Sequence, residues 1–143
     1  MRSIFILSTA LFFLLTSCNS EPQPIEFGKD NCEFCKMTIM DKKFGAELIN
    51  SKGKTLKFDA IECMIQYHQT DEEFKPEKYL VVDYEKTTDL IDGENAYFLH
   101  GGNVRSPMGG NVAAFVSRET AEQFQQELQG EILLWEKVVQ FNF

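Results

Sequence analysis

Histidine is almost missing from this 143-residue chain: His68 and His100 are the only two. Nothing resembles a Ser-His-Asp arrangement, and no glycine loop has the form that cradles phosphate; Gly101-Gly102 and Gly109-Gly110 read as backbone turns. Basic residues are also scarce, 14 Lys and Arg against 22 Asp and Glu for a formal net charge of −8. A chain so acidic makes a poor partner for nucleic acid, whose phosphates require a basic face. Long apolar runs are lacking as well. The most extended one, Ile4 to Leu15, is broken by Ser8 and Thr9 and falls short of the roughly twenty residues that cross a bilayer. With four cysteines there is no disulfide framework of the kind that staples small exported domains.

The apolar run is instead part of an address. Arg2 precedes it, and Leu15-Thr16-Ser17-Cys18 follows as a small-residue cleavage site ending on cysteine. This resembles the lipobox of bacterial lipoproteins. It implies a signal peptide over residues 1–17, cleavage before Cys18 and lipidation of the Cys18 sulfur, which leaves the mature chain anchored to a lipid bilayer outside the cytoplasm. Two or three acyl chains suffice for that, at roughly 0.8 kcal/mol per buried CH₂. Residues 18–30, with Pro22, Pro24 and Gly28, read as a tether.

If Cys18 is lipidated, Cys32, Cys35 and Cys63 remain, and three thiols cannot all pair within one chain. The odd number points to function. The densest chemistry is Cys32-Glu33-Phe34-Cys35-Lys36-Met37, three sulfur side chains in six residues. Thiolate and thioether are soft donors suited to Cu(I) or Zn(II), and a thioether adds more to Cu(I) than to zinc. If the segment is extended, Cys35 and Met37 share a face by the period of two, and Lys36 faces away.

Behind this cluster, Phe44–Ile49 and Thr55–Phe58 flank a Gly53 turn and read as two strands. Asp59 with Glu62 matches a capping box, and Ile61, Met64, Ile65 and His68 mark one face of the helix it would start. Tyr79–Tyr84 reads as a third strand. The order then repeats: strand at Ala96–Leu99, Gly-rich loop at His100–Asn111, strand at Val112–Val116, helix capped by Ser117 and stopped at Gly130, strand at Ile132–Trp135. The expected fold is α+β, two small ββαβ units packed as one compact domain after a lipidated tether. The first unit, with the metal motif, covers residues 31–90 and the second 91–143.

The order of these motifs resembles the NosL family of nitrous oxide reductase accessory proteins. Carrying the resemblance are the lipobox, the tether, C-x-x-C-x-M at the domain entrance, Phe58-Asp59-Ala60-Ile61-Glu62-Cys63-Met64, and Ser106-Pro107-Met108-Gly109-Gly110 ahead of Val112-Ala113-Ala114-Phe115. The resemblance implies a copper-binding lipoprotein, not an enzyme. Such a protein passes Cu(I) to an acceptor protein of a membrane transport complex that supplies the metal centres of nitrous oxide reductase. The family's Cys and Met ligands map onto Cys35 and Met37. Cys32 is a candidate third ligand, and Cys63, Met108 and His68 are further candidates. Two other readings stay open on the residues alone. Cys32, Cys35, Cys63 and His68 have the spacing of a structural zinc set, and Cys32 with Cys35 has the spacing of a thiol–disulfide redox pair.

Overall fold

A computed structural model describes residues 21–143. The expected signal peptide over residues 1–17 and the expected lipidation of Cys18 therefore lie outside the described residues.

Strand β1, Ala46–Asn50, is buried almost throughout because it runs down the middle of a sheet. On one side it pairs antiparallel with β2, Thr55–Phe58, whose alternating burial is that of a strand with one face to the core. The turn between them is closed by Asn50, whose Oδ1 accepts from the amides of Lys52 and Lys54, and by Gly53 at φ +76°. After helix α1, Ile61–Thr70, the chain returns as β3, Pro76–Val82, which pairs antiparallel with the other side of β1. Pro76 occupies the first position of that strand, where a missing N–H is tolerated. A short β4, Leu90–Asp92, adds to the edge of β3, giving the order β2-β1-β3-β4.

The second half follows the same plan. β5, Tyr97–His100, is central, with β6, Val112–Phe115, on one side and β7, Glu131–Leu134, on the other, all antiparallel. Helix α2, Arg118–Leu128, lies between β6 and β7 in sequence and begins as expected, Ser117 Oγ accepting from the amide of Thr120. It ends one residue earlier than the glycine suggests, on Gln129 in the left-handed region at φ +54°. Trp135 does not continue β7; it opens a one-turn helix, α3, Trp135–Val138. The fold is thus the expected pair of ββαβ units, each with its first strand in the centre, plus the β4 edge that no sequence pattern had marked.

The halves are one body. The amide of Tyr84 donates to Ala114 O at 2.8 Å, forming a parallel bridge between residues 83 and 114. Phe58, Met64 and Val81 of the first half share a core with Phe98, Ala114 and Trp135 of the second. A smaller core of Phe44, Leu99, Ala113, Phe115 and Ala121 fills the space under α2. Among the described residues, no helix is long and apolar enough to cross a membrane.

Candidate metal centre

The centre is built from the entrance turn and the start of α1. Residues Asn31 and Thr38 face each other as an isolated antiparallel bridge, and within it Cys32 N–H donates to Met37 O at 2.8 Å. Lys36 N–H donates back to Cys32 O at 3.0 Å, and Lys36 itself sits at φ +63°. That left-handed residue costs roughly 1 kcal/mol for a side chain with a Cβ. It also overturns the extended geometry expected for Cys35-Lys36-Met37: the chain reverses at Lys36, so the period-of-two argument does not place Cys35 and Met37 on one face. The turn is fixed to the sheet by Glu33 N–H, which donates to Lys57 O of β2 at 2.8 Å.

Cys32 is buried by this turn, and Cys35 is partly covered. Cys63 comes up from the first turn of α1, also buried, and Asp59 stands just ahead of that helix, 2 % exposed. The three sulfurs and one Asp59 carboxylate oxygen all lie within 4.8 Å of one another. Cys35 Sγ donates to Asp59 Oδ1 at 3.6 Å.

Proton positions follow from this crowding. The Cys63 thiol donates to Cys32, and backbone amides of Asp59, Cys35 and Phe34 also point at that sulfur, so the Cys32 pKa falls to about 6 against the desolvating effect of burial. Cys63 is pushed far the other way, by that same hydrogen bond and by burial. Burial first, then the neighbouring Cys32 and Asp59, raise Cys35 to about 11, with the Met37 amide opposing. At neutral pH the centre holds one thiolate and two thiols in contact. A soft cation can bind there by displacing protons.

Of the residues singled out from sequence, Cys32, Cys35 and Cys63 are brought together. His68 is not with them. Its Nε2 meets Tyr79 Oη at 3.2 Å, its ring packs edge-on against Tyr79, and burial with nearby Lys75 lowers its pKa. The fourth donor of the cluster is Asp59 rather than His68, which changes the composition of the expected zinc set. Met37 and Met108 are exposed, at 48 % and 41 %. Met108 lines a cleft of about 380 Å³ together with His100, Gln66 and Phe34, the last lying between the two cysteines of the turn.

Asp59 was misassigned by its own sequence signal. The capping box is not formed: the N-cap position of α1 is Ala60, with no side-chain cap, and Asp59 faces the sulfurs instead. Glu62, its expected capping partner, is fully buried and accepts from Ser106 Oγ and, at 3.1 Å, from Gly110 N–H of the second half. No spacing signal could have found it: Asp59 and the extended Ala60 lie ahead of α1, so the helical period does not relate Asp59 to Cys63.

Fold and cluster together define a small α+β protein with three cysteines and a buried carboxylate gathered at its domain entrance, a donor set able to hold a metal. The NosL family model matches residues 24–141. The chain belongs to the NosL family. A relative named copper-binding lipoprotein NosL, from Stutzerimonas stutzeri, is 25 % identical over 150 aligned positions, covering 94 % of this chain and 79 % of its own length. The crystal structure of the copper chaperone NosL from Shewanella denitrificans superposes with a TM-score of 0.72 at 19 % identity, over 85 % of this chain and 98 % of that one. At that identity the superposition speaks for the fold.

Proposed function

We propose that the protein is a Cu(I) carrier, held at a membrane through lipidated Cys18, which hands copper to an acceptor protein of a transport complex serving nitrous oxide reductase maturation. The copper part of this reading rests on one observation, three cysteine sulfurs gathered within 4.8 Å at the domain entrance of a NosL-family chain. The names of the relatives, a copper-binding lipoprotein and a copper chaperone, agree with it and describe no enzyme. Cys32, Cys35 and Cys63 supply the thiolates. Met37 and Met108, exposed thioethers, are the ligands that an incoming acceptor exchanges with, so the ion passes from sulfur to sulfur without release. Softness of both donor types selects the monovalent ion.

The test is Cys35→Ser in a competition assay against a Cu(I) chelator. Loss of tight binding with the fold retained is expected, and unchanged affinity removes Cys35 from the centre.

The buried Asp59 carboxylate favours a second reading, a structural zinc site of three cysteines and one carboxylate. Metal analysis and thermal melting with and without chelator separate the two. A carrier keeps its fold when stripped, whereas a zinc-dependent domain unfolds, because site and fold are then one equilibrium.

A further inference from the structure

The sulfur cluster belongs to the first half of the chain and Met108 to the second, and one buried side chain joins them. Glu62 is 0 % exposed and directly precedes Cys63. Its Oε1 accepts from Ser106 Oγ and from Gly110 N–H at 3.1 Å. Ser106 Oγ in turn accepts from Asn111 N–H at 2.7 Å, and Gly109 N–H donates to Ser106 O at 3.1 Å, so residues 106–111 form a closed loop. Ser106 and Gly110 flank Met108 two residues to either side. A single carboxylate oxygen thus pins both legs of a loop whose apex is an exposed thioether. The fit is close: a Cβ on Gly110 would stand 2.7 to 2.9 Å from Glu62 Cβ, Cγ and Cδ.

A buried carboxylate is an expensive way to fill the base of a helix, where an apolar side chain would pack without desolvation cost. Its retention is accounted for if the loop must be held in one place. That place is the cleft shared by Met108 and Phe34, the residue inside the cysteine turn. We propose that Glu62 is a positioning residue for metal transfer: it clamps the Ser106–Asn111 loop to the first turn of α1 and so keeps the Met108 thioether beside the cysteine turn. This inference rests on the copper reading above.

The experiment compares Cu(I) affinity, by chelator competition, and sulfur coordination, by X-ray absorption, in the wild type, Glu62→Gln, Glu62→Leu, Met108→Leu and the double variant Glu62→Leu/Met108→Leu. Loss of a residue that orients a ligand costs about tenfold to a hundredfold in affinity. Glu62→Leu and Met108→Leu should each weaken binding by that much and remove the same sulfur neighbour. The double variant should be no weaker than either single one, since both act through one contact. Glu62→Gln, which keeps the accepting oxygen, should bind as wild type. If Glu62→Leu fails to fold, Ser106→Ala takes its place with the same expected loss. Wild-type affinity in the loop-releasing variant, multiplicative losses in the double variant, or a Gln variant as weak as Leu each overturns the clamp. Cys35→Ser runs alongside. If it loses copper while Glu62→Leu does not, the clamp alone is wrong; if it too binds as wild type, the copper reading falls with it.

Discussion

Cu(I) affinity should climb steeply with pH, and the steepness counts the thiols that bind. Between about pH 7 and 9 Cys32 is already a thiolate, with its pKa near 6, while Cys35, near 11, and Cys63, higher still, carry protons. Binding by all three sulfurs expels two protons, so the association constant rises about a hundredfold per pH unit, roughly 2.7 kcal/mol. Below the Cys32 pKa a third proton joins and the slope steepens. Cys63→Ser keeps an O–H to donate to Cys32 but offers no thiolate. Its slope should fall to about tenfold per pH unit. Competition against a chelator that does not itself titrate in this range gives the slope. Calorimetry in two buffers of different ionisation enthalpy counts the protons independently. A flat profile would refute the thiolate centre, and a Cys63→Ser slope equal to that of the wild type would remove Cys63 from it.

Three further outcomes follow from other residues. Glu47, fully buried in β1, has its pKa pushed up to about 7 by burial, against the pull of Lys57 and of the Gln23 amide. The folded state therefore holds a proton that the unfolded chain has released: this stabilisation is complete below about pH 4.5 and is lost as pH rises through 7, up to about 3 kcal/mol in all. The difference between wild-type and Glu47→Gln stability, followed by urea unfolding, should trace that decline, and a constant difference from pH 4.5 to 8 would contradict it. Gly110→Ala should destabilise the fold by about 1–3 kcal/mol through its collision with Glu62, measured by thermal melting, with no loss if the loop stands off instead. Met37→Leu should weaken copper binding and leave zinc binding almost untouched; equal losses for both metals would speak against a thioether ligand.

Local pattern carried most of the fold. Strand alternation, the Gly53 turn and the Ser117 cap depend on neighbours in sequence, so they could be read in order along the chain. β4 escaped because three residues beside a Gly-Glu-Asn turn carry no periodicity of their own; only the edge of β3 makes them a strand. At the centre, the cysteines were legible as a group by type, but two carboxylates were not. Asp59 and Glu62 have the spacing of a local cap, and tertiary contacts outbid it: Asp59 gains the Cys35 thiol and Glu62 gains Ser106, 44 positions away. The strand-like reading of Cys35 to Met37 failed for a related reason. Lys36 is left-handed because the Asn31–Thr38 bridge forces a reversal there, and nothing in a lysine announces that conformation.

Lys57 holds two things at once. Its carbonyl receives the metal turn through Glu33, and its ammonium grips Pro24 O at 2.9 Å and Asp30 Oδ2 at 2.7 Å. Pro24 is thus fastened to the sheet, and the contour from the proposed attachment at Cys18 to that point is at most roughly 20 Å. On the proposed lipidation, a carrier tied that short would patrol a thin layer above the lipid headgroups. Its search for the proposed recipient would then be a planar one, and recipients whose docking face sits farther out from the bilayer than that layer would be beyond its grasp.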